Sequence, residues 1–133
     1  MIFKALYLIS FMKFNLQLKR DLEKYSDYAI VVEGKKDVSS LKGLGFQKVY
    51  AIHEGGISLK ERIEKIALLV GKKENVCILT DFDRKGKELY FILKREFGEL
   101  GVHLDSTLRG ILLKSNVSHI EGLYDFMKKV EGI

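Results

Sequence analysis

Proline is absent from the 133-residue chain, so no proline-rich linker divides it, and its turns fall to the 12 glycines. A single cysteine, Cys77, excludes an internal disulfide and any cysteine-rich zinc module, and it fits a reducing cytoplasm. The histidines His53, His103 and His119 stand far apart, so none belongs to a local metal-binding spacing. A long hydrophobic run is also missing. The most apolar stretch, MIFKALYLISFM at residues 1–12, falls short of the roughly 20 residues that a bilayer requires. Lys4 and Ser10 interrupt it, and no small-residue cleavage pattern follows. A membrane span is thereby excluded and an export signal disfavoured. Two readings remain for the stretch: a strand or helix that covers the core, or a translation start placed upstream of a true start at Met12.

What the chain does contain is enough for one folded domain. Hydrophobic residues make up 47% and charged residues 31%, a balance that fills an interior and still covers a surface. Lys and Arg (23) exceed Asp and Glu (18), giving a net charge of +5 and a mild bias toward polyanionic partners.

Leu18, Leu22 and Tyr25 recur at helical spacing among charged residues, one apolar stripe on an amphipathic helix. Four apolar runs of strand length follow, at residues 29–32, 48–52, 75–79 and 102–104. Between them lie three helical patterns. Val38, Leu41 and Leu44 end at Gly45; Leu59, Ile63 and Ile66 end at Gly71; Leu89, Ile92, Leu93 and Phe97 end at Gly98. The runs Ile30-Val31-Val32 and Val76-Cys77-Ile78-Leu79 are continuously apolar, the mark of parallel strands covered on both faces. The alternation predicts a three-layer α/β domain, with a four-stranded parallel sheet flanked by helices. A short helix at 109–113 and a last one around 121–130, with Leu123, Phe126, Met127 and Val130 apolar, complete the pattern. The expected organisation is an apolar segment and helix at 1–28, the α/β domain at 29–113, and a helical tail at 114–133 packed on the same domain.

Sites in open α/β sheets form at the carboxyl ends of the strands. The first strand runs into Glu33-Gly34-Lys35-Lys36-Asp37, and the third, after Thr80, into Asp81-Phe82-Asp83-Arg84-Lys85-Gly86. If those strands are neighbours, Glu33, Asp81 and Asp83 converge, and unneutralised carboxylates at that distance repel. A hard divalent cation resolves the conflict, and Mg²⁺ suits it because it takes a few carboxylate oxygens and completes its shell with water and phosphate. Residues two apart on an extended segment point the same way, so Asp81 and Asp83 can reach one site. Gly34 and Gly86 permit sharp turns and close approach to a ligand. Lys35, Lys36, Arg84, Lys85 and Lys87 cluster in these loops, either as phosphate-facing cations or as solvated charge. Asp37 reads equally as a helix cap and as a ligand. His53 and Glu54 either line the site or belong to a turn built on Gly55-Gly56. Arg109 is the one arginine beyond the fourth strand, suited to phosphate or to an internal ion pair.

Taken together, VVEGKKD after the first strand and ILTDFDRKG after the third resemble the signature of the Toprim domain, found in topoisomerases, bacterial-type primases, recombination mediators, OLD-type nucleases and a ribosomal-RNA maturation ribonuclease. The resemblance runs from about residue 29 to 113, and it is specific because of order, strand context and the 48-residue separation of Glu33 and Asp81 (81 − 33). It is nearest to small stand-alone proteins of archaeal type and to the Toprim part of the maturation ribonuclease. It implies that Glu33 is a general acid or base that also shares the metal, that Asp81 and Asp83 hold Mg²⁺, and that Gly34 and Gly86 are the motif glycines. Lys35, Lys36, Arg84, Lys85 and Arg109 then become candidates for binding substrate. The implied activity is Mg²⁺-dependent work on nucleic-acid phosphodiesters, as a small nuclease of the RNA-processing type, with protein partners supplying specificity. The alternative is a non-catalytic binding or adaptor module. A haloacid-dehalogenase-type phosphatase is disfavoured, since that D-x-D motif usually stands on the first strand and continues to Thr or Val where this chain has Lys85. A dinucleotide site is disfavoured because no G-x-G-x-x-G follows Val32.

Overall fold

The computed structural model describes residues 16–115, 117 and 119–131, so the apolar stretch at 1–12 lies outside the described residues. Residues 16–24 are helical (α1), and the chain then alternates. In order come β1 (Ala29–Val32), α2 (Lys35–Gly43), β2 (Lys48–Ala51), α3 (Leu59–Val70), β3 (Asn75–Ile78), α4 (Arg84–Glu99), β4 (His103–Leu104) and α5 (Thr107–Lys114). A 3₁₀ turn at Ile120–Gly122 leads into α6 (Leu123–Glu131). The four strands form one parallel sheet in the order β2-β1-β3-β4. This is the three-layer α/β fold that the periodicity predicts.

Alternation along the strands explains the layers, because successive side chains point to opposite faces. Ile30, Val32, Cys77 and Leu79 face one side, where they pack with Leu18 and Leu22 of α1, Leu41 of α2, Leu108 and Leu112 of α5, and Leu123 and Met127 of α6. Ala29, Val31, Val76 and Ile78 face the other side, against Ile63, Ile66 and Val70 of α3 and Leu93 and Phe97 of α4. Each fully buried aliphatic side chain contributes about 1.5–3 kcal/mol, so both layers are needed. Cys77 lies within the first of these cores, where burial pushes its thiol up to about 12, and it is an unreactive filler.

Element boundaries differ from the sequence pattern by a residue or two. Ile52 and Leu79 fall outside the strands, although their N–H groups still donate to Val32 O (2.9 Å) and Val31 O (2.8 Å), extending the ladder. Helix α4 does not stop at Gly98. It runs to Glu99, and the chain reverses at Gly101, whose φ of +79° is the backbone state that glycine tolerates without strain.

The strand order places the site. From β1 the chain crosses to β2 on one side, whereas from β3 it crosses to β4 on the other. The carboxyl ends of β1 and β3 are therefore the point where the winding reverses, and a crevice opens there in doubly wound sheets.

Candidate metal and nucleic-acid site

Glu33 is the first residue beyond β1, and Asp81 comes three residues after β3. Because β1 and β3 are hydrogen-bonded neighbours, the two loops touch: Asp81 N–H donates to Glu33 Oε1 at 3.1 Å. The loops of Glu33 and Asp81 thus meet through this backbone contact. Asp83 caps α4 by accepting from Gly86 N–H at 2.8 Å, a role that fixes its rotamer and leaves its other oxygen at the surface. The start of α4 is pressed onto this loop. Thr80 Oγ1, fully buried, donates to Gly86 O at 2.6 Å, and a Cβ added at Gly86 would stand 2.0 Å from the Asp81 carbonyl oxygen. Only glycine fits there. On the other loop, Gly34 N–H donates to Asp37 Oδ2 at 3.0 Å, so the buried Asp37 acts as a cap for α2.

Electrostatics mark these loops as crowded with negative charge. Burial raises the pKa of Glu33; the Asp81 N–H opposes that shift, while the charges of Asp81, Asp37 and Asp83 add to it. Burial likewise raises the pKa of Asp37, opposed by the Gly34 N–H and reinforced by the charge of Asp81.

The cations are unevenly placed. Lys35 and Lys36 begin α2, and Arg84 and Lys85 begin α4, all of them exposed at the edge where both helices also present their N-termini. Arg84 leans on Glu88 at 3.4 Å, a solvated pair of little energetic consequence.

Arg109 departs from the expectation of a phosphate-facing group or an internal ion pair. It is buried, with Nη1 donating to Thr80 O at 2.7 Å and Ile78 O at 3.4 Å, and Nη2 to Asp81 O at 3.5 Å. Its guanidinium lies 4.2 Å from the Tyr90 ring centroid and 4.6 Å from that of Phe82. The carbonyls beyond β3 have no further strand to pair with, and the five donors of arginine satisfy them from inside. Glu54 is also occupied, pairing with Arg62 at 2.9 Å, and Gly55 and Gly56 adopt φ of +75° and +64°, as a turn requires.

Two contributors escaped the sequence pattern because they come from the tail. Ile120 N–H donates to Asp81 Oδ1 at 2.9 Å, and His119 Nε2 stands 3.6 Å from Asp83 Oδ2. Asp81, Asp83 and His119 each offer a ligand atom, all within 4.8 Å of one another, a set able to hold a metal ion. No spacing rule links a lone histidine to aspartates so far upstream.

The Toprim domain model matches residues 28–110, the span that carries both loops. The chain belongs to the Toprim domain family. This chain is 31% identical to a UPF0292 protein of Methanosarcina barkeri over 121 residues, covering 86% of this chain and 80% of that one. It is 34% identical to a UPF0292 protein of Methanocaldococcus jannaschii (75% and 78% covered) and 38% identical to one of Thermococcus onnurineus (77% and 75%). Among solved structures, a putative protein from Aquifex aeolicus superposes with a TM-score of 0.66 at 29% identity, covering 79% of this chain and 94% of the other. Toprim domains typically bind Mg²⁺ through acidic residues and engage nucleic acids, and Asp81 and Asp83 of this Toprim chain lie within the matching span, whereas His119 lies beyond it. Among the described residues no helix is long and apolar enough to cross a membrane.

Proposed function

We propose that this Toprim protein is a Mg²⁺-dependent nuclease of the RNA-processing kind, acting in the cytoplasm on nucleic-acid phosphodiesters, with protein partners supplying its specificity. The observation that carries the reading is the meeting of Glu33 with the Asp81 loop at the switch point of the sheet, beside Asp83 and a rim of lysines. The donor set fits the ion: Asp81 and Asp83 offer hard carboxylate oxygens close to one another, Glu33 adds a third beside the Asp81 N–H, and the repulsion that helps burial raise the pKa of Glu33 is what a cation would relieve. Glu33, Asp81 and Asp83 would hold Mg²⁺, which when bound offsets charge on the phosphate and on the leaving oxygen.

The chain's own residues account for the rest. Lys35, Lys36, Arg84 and Lys85 draw the phosphate backbone to the edge, helped by the N-termini of α2 and α4. Glu33, with its pKa raised, takes a proton from the attacking water or returns one to the leaving oxygen. Gly34 keeps a side chain away from the edge where the phosphate backbone would lie, while Gly86 seats α4 on the Asp81 loop. Arg109 holds the Asp81 loop in place from beneath and touches no substrate.

The test is a cleavage time course beside a binding titration on structured RNA, single-stranded DNA and duplex DNA, with and without Mg²⁺. Glu33→Gln should lower turnover by roughly 10² to 10⁴ while binding survives, because the amide keeps the shape but exchanges no proton. Unchanged cleavage would remove Glu33 from the mechanism. A second reading, an adaptor without catalysis, is favoured by one observation: Asp81 and Asp83 each accept an N–H from the chain itself. Metal-independent binding with no cleavage of any substrate would establish it.

A further inference from the structure

The loop before the 3₁₀ turn brings a nitrogen donor to the aspartate pair. His119 Nε2 lies 3.6 Å from Asp83 Oδ2, too far for a good hydrogen bond. It lies between the separations open to two ligands of one ion, since atoms about 2.1 Å from a common centre stand roughly 3.0 Å apart when adjacent in an octahedron and roughly 4.2 Å when opposite, and a side-chain shift of about half an ångström brings the pair to the adjacent distance. The segment that carries His119 is held by its neighbour. The next residue anchors the segment twice, through Ile120 N–H on Asp81 Oδ1 at 2.9 Å and through an Ile120 side chain that is fully buried. The side chains of His119 and Asp83 are both about half exposed (53% and 48%), which leaves room for water or phosphate.

We propose, resting on the assignment of Asp81 and Asp83 to the metal site, that His119 is a further protein ligand, the one nitrogen donor of the set, and shifts the site's preference from Mg²⁺ toward Mn²⁺ and related first-row ions. Mg²⁺ is hard, takes oxygen ligands and gains little from an imidazole. First-row transition ions accept imidazole nitrogen readily, with affinities that rise along the series from Mn²⁺. A set that adds one imidazole to the carboxylates therefore discriminates between ions that a set of carboxylates alone treats more alike. The tail that carries His119 lies beyond residue 110, outside the span that matches the family model.

The experiment is a calorimetric titration of the full chain and of His119→Ala with MnCl₂ and with MgCl₂, together with pulsed electron paramagnetic resonance of the Mn²⁺-loaded wild type. The expected result is a ¹⁴N coupling from directly bound imidazole that disappears in His119→Ala. Mn²⁺ affinity should fall roughly 10- to 100-fold in that variant, while Mg²⁺ affinity moves by less than about threefold. If His119 is only a charge partner of Asp83, its removal will strengthen binding of both ions alike and the wild type will show no nitrogen coupling; either result overturns the proposal. The resonance measurement reads the wild type directly, so it decides the question even if the variant folds poorly. Binding of Mn²⁺ without nitrogen coupling defeats the role of His119 alone. Absence of any Mn²⁺ or Mg²⁺ binding by the wild type defeats the metal assignment of Asp81 and Asp83 as well.

Discussion

Gly86 and Gly98 occupy the same helix and answer opposite demands. Both lie in α4, where alanine is intrinsically preferred over glycine by about 1 kcal/mol. At Gly98 a Cβ would meet nothing within 4 Å, so the propensity acts unopposed. At Gly86 the same Cβ would meet the Asp81 carbonyl oxygen at 2.0 Å, and backbone cannot rotate out of the way as a side chain can. The clash must be relieved by moving either the first turn of α4 or the loop that carries Asp81 and Asp83. Gly86→Ala should therefore destabilise by about 1–3 kcal/mol, and Gly98→Ala should stabilise by up to about 1 kcal/mol. Urea denaturation of the two variants checks this. Equal shifts for both would mean that α4 is not seated on the Asp81 loop. The contrast also explains the glycine at the motif position: the close approach of helix to loop by itself requires it.

At the scale of elements, Arg109 joins α5 to the carboxyl end of β3 through three carbonyls and two rings. Arg109→Lys keeps the charge but has neither the planar fork nor the stacking surface, so it should cost about 2–4 kcal/mol, read from the urea midpoint. A loss under about 0.5 kcal/mol, the range of ordinary surface changes, would mean that Arg109 carries no structural weight. This residue also shows where sequence reading runs out. The strands were legible because Ile30-Val31-Val32 and Val76-Cys77-Ile78 are apolar on both faces, and the helices because Ile63, Ile66 and Val70 repeat at the helical period. The pairing of Glu33 with Asp81 was legible only as a condition, since periodicity names strands but not their order in a sheet. Whether Arg109 points outward to phosphate or inward to carbonyls depends on which carbonyls lack partners once β3 has ended, and that is a property of the assembled layers. His119 was illegible for the same reason. Its proximity to Asp83 follows from how the tail folds back over α2, and no local rule encodes a contact across that separation.

At the scale of the whole molecule, the tail is part of the fold that the family span leaves unfinished. The Toprim match ends at residue 110, yet Ile120, Leu123 and Met127 are buried in the same cluster as Ile30, Leu41 and Leu79. Tyr124 N–H donates to Ser40 Oγ at 2.9 Å, and a Cβ at Gly43 would fall 2.7 Å from the Tyr124 ring, so α6 lies directly on α2. Leaving out these residues would expose the α2 side of the core and strip Asp81 of the Ile120 N–H. Leu123→Ala removes most of one fully buried side chain and should cost about 2–5 kcal/mol, according to how far the cavity collapses. A chain ending at Ser115 loses all three apolar anchors together, which is of the order of a small domain's entire stability. It should melt without a cooperative transition and bind a hydrophobic dye at temperatures where the full chain does not. The two measurements are differential scanning calorimetry of the Leu123→Ala protein and dye fluorescence of the shortened chain. Should the shortened chain unfold cooperatively near the melting temperature of the full one, the tail would be an appendage, and its contact with Asp81 and Asp83 would have to be explained as regulation of a site complete without it.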